Sequence, residues 1–483
     1  MKHLKTLLSI AAIILVLVSA AALSVWRVNP PAADESDPAF VSMMGNIQRL
    51  ATGVRWVGTP EVQATRDALI AEIEAMGLTP TIHRTAFTMD DWFEAGVRIR
   101  LLQNEAANAP RLADWGMGDA ETWGYWQLRF IEQVFPEHPI IHQGYMYVDN
   151  IWVTLESPSP NAGSIMFVAH YDSMWNTPGA ADAMLPTAAM LEALRVHAAN
   201  SNLANNMHFL FTDAEEVFAL GALAFSRDFP EIIDEVDMLL NLEAVGNSGG
   251  VINFQTSDAP FEMIRVFNRA APRPIGFHWG DWVYRTAMSG SFTDFNFFRE
   301  YGFSGLNFAI LGGNEHYHTP TDNYENLNRN TAWHYLITIM AMADYAAANP
   351  IAGIGAPSSD AIFFPFLPGM NMIVLTTTVA NILTGLAFAV AIAFLVYRFK
   401  TGLHKSWFIT ILLGLLMVAT VFVIVALPVL SYLLWIPLLA VSASAFLKKW
   451  GIAYKCAMTA SGAIAMLLCI PPVYLLLTLF QII

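Results

Sequence analysis

Cysteine is nearly absent. The 483 residues include two, Cys456 and Cys469, both in the last apolar stretch. The rest of the chain can therefore form no internal disulfide and offers no thiolate zinc site, so any metal there must be held by imidazole nitrogen and carboxylate oxygen. Charge is scarce too, at 13% of residues against roughly 25% in an ordinary soluble domain, and it is unevenly placed. No Asp or Glu precedes Asp34 or follows Asp360, and no Lys lies between those two positions. The central block thus holds all 40 acidic residues and 16 of the 25 basic ones, every one an Arg, for a formal charge of −24. That balance argues against a nucleic-acid partner, because phosphate binding needs clustered Lys and Arg.

What the ends have instead is long uncharged runs. Residues 7–25, behind Lys2 and Lys5, are 19 uncharged positions, just enough to cross a hydrocarbon core of about 30 Å at about 1.5 Å per helical residue. The run is longer than a signal-peptide core and reads as an uncleaved anchor. Four more segments, 372–397, 407–427, 429–447 and 456–480, contain no Asp, Glu, Lys or Arg and read as further spans. With the first span running outward, the loops carrying Arg398 to Lys405 and Lys448 to Lys455 fall inside, as the positive-inside rule requires. The expectation is an integral membrane protein with five spans: an anchor over 1–27, an extracytoplasmic domain over 28–368, and an all-α four-helix transmembrane region over 369–483. The spans hold no acidic or basic side chain, so they suggest anchoring in a lipid bilayer and no ion pathway.

Within the central block, strand-like apolar runs recur at 151–155, 164–170, 207–212, 238–242, 251–255 and 305–310, with helical patterns at 63–76 and 186–199. Strands alternating with helices predict an α/β domain with a mixed, largely parallel sheet covered on both faces. In such sheets ligands bind beyond the carboxyl ends of the strands. Those ends carry His170-Tyr171-Asp172, Asp213-Ala214-Glu215-Glu216, Glu243 and His316-Tyr317-His318. His170, Asp182, Glu216, Glu243 and His318 supply the two imidazoles and three carboxylates that a pair of zinc ions needs when cysteine is lacking. Adjacent Glu215 and Glu216 point different ways, so one can bind metal while the other takes the proton of a bound water. His316 competes with His318, and the trailing Thr319-Pro320-Thr321-Asp322 favours His318. His197, His208, His278 and His334 have no matching partners and read as structural. Trp279, Trp282 and Tyr284 read as core first and as pocket walls second.

His170-Tyr171-Asp172, Pro178-Gly179-Ala180-Ala181-Asp182, Glu215-Glu216, Asn241-Leu242-Glu243-Ala244 and Tyr317-His318-Thr319-Pro320-Thr321-Asp322 resemble, in order, the motifs of metallopeptidase family 28. The similarity spans about 149–327 and looks closest to the multi-spanning endoplasmic reticulum and vacuolar membrane branch. It implies the three-layer α/β/α zinc exopeptidase fold. It also implies that Asp182 bridges two zinc ions, with His170 and Glu243 completing one site, Glu216 and His318 the other, Glu215 as general base, and Asp172 fixing the tautomer of His170. Ala183 and Pro186 depart from the family pattern around the bridging loop, which leaves one zinc as the alternative to two. The implied activity is removal of amino-terminal residues from a peptide substrate. A carboxypeptidase, a glutaminyl cyclase-like enzyme and a non-catalytic peptidase-like membrane binding protein stay open, and the oligomeric state is not indicated.

Overall fold

The computed structural model describes residues 28–103, 120–281, 284, 292–366 and 370–400, with scattered positions between 15 and 26. Its backbone divides into two units. One comprises Pro30–Pro272 and Gly280–Ser358; the other gathers Arg273–Trp279 with the described parts of Met1–Asn29 and Ser359–Ile483.

The larger unit is built on a seven-stranded sheet of β1 (Thr81–Thr88), β2 (Tyr145–Leu155), β3 (Ser164–His170), β4 (Asn206–Thr212), β5 (Met238–Leu242), β6 (Ile252–Thr256) and β7 (Gly305–Ala309), in the order β1-β2-β4-β3-β5-β7-β6. The four central strands run parallel, and antiparallel strands flank them on both sides. This is the expected mixed α/β sheet, with its parallel part confined to the middle. Every residue of β3 and β5 is buried. Strands covered on both faces need continuous apolar runs, which is why Ile165–Ala169 and Met238–Leu240 stood out in the sequence.

Helices cover both faces. Met166, Val168, Leu210 and Leu239 pack in one cluster with Trp92, Ile131, Leu220, Phe225 and Phe295, which draws in the helices Met89–Gln103, Ala120–Val134, Leu220–Asp228 and Phe295–Tyr301. Alternation along the strands turns Ile165 and Phe167 to the opposite face, where the helix Leu185–His197 packs on β3 and against Pro38–Leu50 and Arg329–Ala348. Helix starts follow local rules. Asp37 accepts the amides of Ala39 and Phe40 ahead of Pro38, and Asn328 accepts that of Thr331, satisfying donors that a first turn leaves unpaired.

The edge strand β1 was not legible in the sequence. Its residues TIHRTAFT are mostly exposed, so no apolar run marks them. The first half of β2 was missed as well, because it carries Asp149 and Asn150, both buried. Asp149 is tolerated there because Arg84 donates to both of its oxygens, at 2.6 and 2.8 Å, and Arg66 donates to it as well.

In the smaller unit, β8 (Ala361–Phe364) and β9 (Ile373–Thr376) form an antiparallel pair followed by the helix Thr377–Lys400. The expected segment 372–397 is thus strand at its start and helix after it. Most side chains beyond Leu386 lie outside the described set, and among the described residues no helix is long and apolar enough to cross a membrane. The segments 407–427, 429–447 and 456–480, and most of 7–25, lie outside the described residues.

Candidate metal centre

Register sets the site. His170 on β3 pairs with Thr212 on β4, Val168 with Asn241 on β5, and Leu242 with Phe308 on β7. The carboxyl ends of four parallel strands are therefore level, and the residues just beyond them converge.

His170, Asp182 and Glu243 form one group whose ligand atoms all lie within 4.8 Å of one another; Asp182, Glu216 and His318 form a second. Asp182 belongs to both. Its Oδ1 is 3.2 Å from His170 Nε2 and its Oδ2 is 3.3 Å from His318 Nε2. Glu243 Oε2 is 3.5 Å from His170 Nε2, and Glu216 Oε2 is 3.1 Å from His318 Nε2. Glu215 Oε2 is 3.9 Å from His170 Nε2, so it borders the first group without joining it. His316 stands apart, with its Nδ1 paired to Thr321 Oγ1 at 2.8 Å.

Asp172 ties the centre together. Its Oδ1 is 3.2 Å from His170 Nδ1 and accepts the amide of Glu215 at 3.1 Å, while Oδ2 accepts the amide of Glu216 at 3.2 Å. One carboxylate thus orients a candidate ligand and the two acidic residues of the neighbouring loop. The loop before Asp182 is a distorted helical turn, Ala180–Met184, containing a cis Asp182–Ala183 peptide. Asp322 accepts the amides of Ala181 and Asp182 at 2.9 and 3.1 Å. Arg55, fully buried, donates to the carbonyls of Tyr171 at 2.8 Å and Gly179 at 3.1 Å, and also to that of Pro178. The Tyr335 hydroxyl donates to the carbonyl of Glu243 at 2.7 Å, and Thr187 to that of His170 at 2.7 Å.

The electrostatics mark a site for cations. Burial raises Glu215 well above the ordinary carboxylate range, with Glu243 adding to it, and burial raises Glu216 and Glu243 as well. Burial also pushes Asp294 up to about 8, again with Glu243 contributing. Burial alone would lower His170, but Glu243, Asp172 and Asp182 outweigh it and raise the imidazole well above its usual range. His318 likewise resists burial and is raised to about 10 by Glu216 and Asp182. Burial opposes ionisation of Asp182, yet the two imidazoles bring it down to about 2. Crowded carboxylates and imidazoles of this kind are relieved by a bound cation. The Nε2 atoms of His170 and His318 are buried without a hydrogen-bond partner, and each is aimed into its own group. The residues fit two ions held by nitrogen and oxygen.

The five expected ligands, Glu215 and Asp172 are all brought together. Reading the sequence missed Arg55, Asp294, Thr187 and Tyr335, none of which lies in a recognisable motif, and it gave Asp322 no role. Outside the centre, His208 Nδ1 pairs with Thr154 Oγ1 at 2.8 Å, His197 with Asp344 at 3.1 Å, and His334 Nδ1 accepts the amide of Val251 at 3.1 Å. His278 packs edge-on against Phe363. Trp279 and Tyr284 are buried, as core residues are, and Trp282 lies outside the described residues.

A mixed sheet with two nitrogen-and-oxygen ligand groups converging beyond its parallel strands defines an α/β domain with a candidate metal centre. Residues 150–343 match the model of Peptidase family M28. The putative endoplasmic reticulum metallopeptidase 1 of Schizosaccharomyces pombe is 30% identical over 247 residues, covering 50% of this chain and 30% of that protein. Human endoplasmic reticulum metallopeptidase 1 is 26% identical over 274 residues, 55% of this chain and 30% of the relative. The vacuolar membrane protease of Candida dubliniensis is 26% identical over 215 residues, 44% and 22%. The matched part spans less than a third of these relatives. Among solved structures, the aminopeptidase from Aneurinibacillus sp. strain AM-1 superposes with a TM-score of 0.45 at 15% identity, covering 64% of this chain and 94% of that one. A Porphyromonas gingivalis glutaminyl cyclase does so with 0.44 at 16%, covering 63% and 97%.

Proposed function

We propose that this protein is a membrane-tethered zinc exopeptidase with two ions, acting as an aminopeptidase on peptides outside the cytoplasm. One observation carries the reading: the two oxygens of Asp182 face different imidazoles, His170 and His318, as a bridging carboxylate must. His170 and Glu243 would hold one ion, and Glu216 and His318 the other. Zinc bound there supplies Lewis-acid polarisation of the scissile carbonyl and lowers the pKa of a water.

The chain's own groups do the rest. Glu215 is buried with its Oε2 3.9 Å from His170 Nε2, at the border of the first ligand group, where a carboxylate can accept a proton from a bound water and return it. It takes the proton of the attacking water and delivers it to the departing amine. Asp172 keeps Glu215 and Glu216 in place through their amides and holds His170 by its other nitrogen, the support that metal-binding imidazoles require. An amino terminus suits this site better than a carboxyl terminus, because its walls are carboxylates. The Arg55 guanidinium is spent on three backbone carbonyls and is not presented to a substrate carboxylate. Tethering with the peptidase domain extracytoplasmic rests on the uncharged segments and the placement of Lys and Arg around them.

The test is turnover by detergent-purified full chain of free-amine peptides, amino-blocked peptides with free carboxylates, and amino-terminal Gln peptides, with zinc quantified. Release of amino-terminal residues, abolished in Glu215→Gln while zinc is retained, is the expected result. Zinc-free protein inert on every substrate would leave a peptidase-like binding protein.

A further inference from the structure

Glu243 turns one oxygen toward the centre and one away from it. Its Oε2 is 3.5 Å from His170 Nε2, while Oε1 accepts from the side-chain amide of Asn241 at 3.3 Å. Asn241 lies two residues earlier, on β5, so alternation puts both side chains on one face of the sheet. The register sets Asn241 opposite Asn307 on β7, and Asn307 opposite Gln255 on β6. These three amides form a row across three strands, buried at 0, 0 and 3% exposure.

Every bond in the row has a direction. Asn241 Nδ2 donates to Asn307 Oδ1 at 3.0 Å, and Asn307 Nδ2 donates to Gln255 Oε1 at 2.9 Å and to Thr293 Oγ1 at 3.0 Å. Gln255 Nε2 donates in turn to Asp281 Oδ1 at 3.0 Å. That carboxylate is 29% exposed and lies 3.5 Å from Arg299. An ionised carboxylate only accepts, so Asp281 fixes the sense of each amide behind it, and the last nitrogen, on Asn241, has its second hydrogen left for Glu243. Asn241 Oδ1 has no partner, yet turning that amide over would set its oxygen against those of Asn307 and Glu243.

Strand β6 is bent to complete the row. Its register shifts between Asn253 and Gln255, so that Asn253 faces Phe308 and Gln255, in place of Phe254, faces Asn307. A bulge re-aims the side chain that follows it. Asn253 fastens this one by donating to the carbonyls of Gln255 at 3.0 Å and Asn307 at 3.1 Å. Buried amides are costly in a sheet that apolar side chains could fill, and the proposed proton transfers use none of them.

We propose that Asn307 and Gln255 are positioning residues for Glu243: the row that starts at Asp281 delivers an N–H of Asn241 to Oε1 and so leaves Oε2 for the zinc shared with His170. The inference rests on the reading of Glu243 as a metal ligand in the function proposed above. Groups that hold a ligand from behind contribute roughly ten- to a hundredfold in metal affinity. Among the described residues the row makes no hydrogen bond to Glu216 or His318, so its effect belongs to one zinc of the two.

The test is the stepwise zinc affinity of the full chain in detergent, by competition with a chromogenic chelator and by native mass spectrometry. The proteins are wild type, Asn307→Leu, Gln255→Met, and each of these combined with Glu243→Ala. Both single variants should weaken one zinc by roughly ten- to a hundredfold and leave the other at its wild-type affinity. Glu243→Ala should keep the zinc of Glu216 and His318, and adding either substitution should not change the affinity of that ion. Wild-type affinities in both single variants would overturn the positioning role. So would a loss shared by both ions, or by the ion that Glu243→Ala retains, since that is the mark of a loosened sheet. In these cases the loss of a zinc from Glu243→Ala still leaves Glu243 a ligand and the exopeptidase reading standing. If Glu243→Ala binds zinc as the wild type does, or the wild type binds none, the ligand reading fails and the row has nothing to position. Should Asn307→Leu, which strips partners from Asn241, Gln255 and Thr293, fail to fold, Gln255→Met and Asp281→Ala decide by the same titration, the latter at the partly exposed end of the row.

Discussion

Asp322 stands 140 residues after Asp182, and its Oδ2 accepts the amide N–H of Asp182 at 3.1 Å. Its Oδ1 takes the amide of Ala181 at 2.9 Å, and its own carbonyl accepts from Ala180. The loop that presents Asp182, the carboxylate common to both ligand groups, is therefore held from beyond by the segment that also supplies His318.

Asp322→Asn should loosen that loop, because a side-chain amide turns a donor toward backbone donors. Zinc affinity is expected to fall roughly ten- to a hundredfold, as for other groups that support a ligand from behind. Competition with a chromogenic chelator measures it, and an unchanged affinity would remove Asp322 from the metal centre.

Metal stoichiometry should separate the two ligand groups. Glu243→Ala and His318→Ala are each expected to keep one zinc, while Asp182→Ala, which strips a ligand from both groups, should keep none under the same dialysis. Native mass spectrometry reads the count directly. One zinc in the wild type would reduce the centre to a single ion.

Arg55 is buried against a surplus of negative charge. Burial lowers its guanidinium to about 10, and Asp172, Asp322, Asp182 and Glu216 act against that. Arg55→Met should leave three carbonyls unpaired and these carboxylates uncompensated, at a cost of about 3–5 kcal/mol in the metal-free protein. Bound zinc offsets part of the same charge, so the gain in melting temperature on adding zinc should be larger in the variant than in the wild type. Thermal unfolding with and without zinc tests this, and equal gains would contradict it.

His208 lies on β4, away from the metal centre, and burial pushes its imidazole down to about 4. The unfolded chain binds that proton near 6.5, so protonation favours unfolding. The contribution of neutral His208 is complete above about pH 6.5 and is lost as pH falls toward 4, by on the order of 3 kcal/mol. Urea unfolding between pH 4 and 7 should show this slope in the wild type and a flatter one in His208→Gln. Parallel slopes would show that other groups govern the acid limb.

The sequence by itself determined the chemistry of the centre. With cysteine confined to the last segment, the ligands had to be His, Asp and Glu, and their places just after Ile165–Ala169, Met207–Thr212 and Met238–Leu242 were legible because strands buried on both faces must be apolar throughout. Glu215 beside Glu216 already suggested a base next to a ligand. What only the tertiary structure decided is everything set by distant partners. Edge strand β1 carries no apolar run because one side of it faces solvent, and Asp149 interrupts β2 only because Arg66 and Arg84 come to meet it. Arg55 and Asp322 look ordinary in sequence. Burial against four carboxylates and a hydrogen bond across 140 residues give them their significance, and neither is a property of neighbouring letters. Local pattern specifies which atoms can do chemistry, while the register of β3, β4, β5 and β7 decides which of them meet.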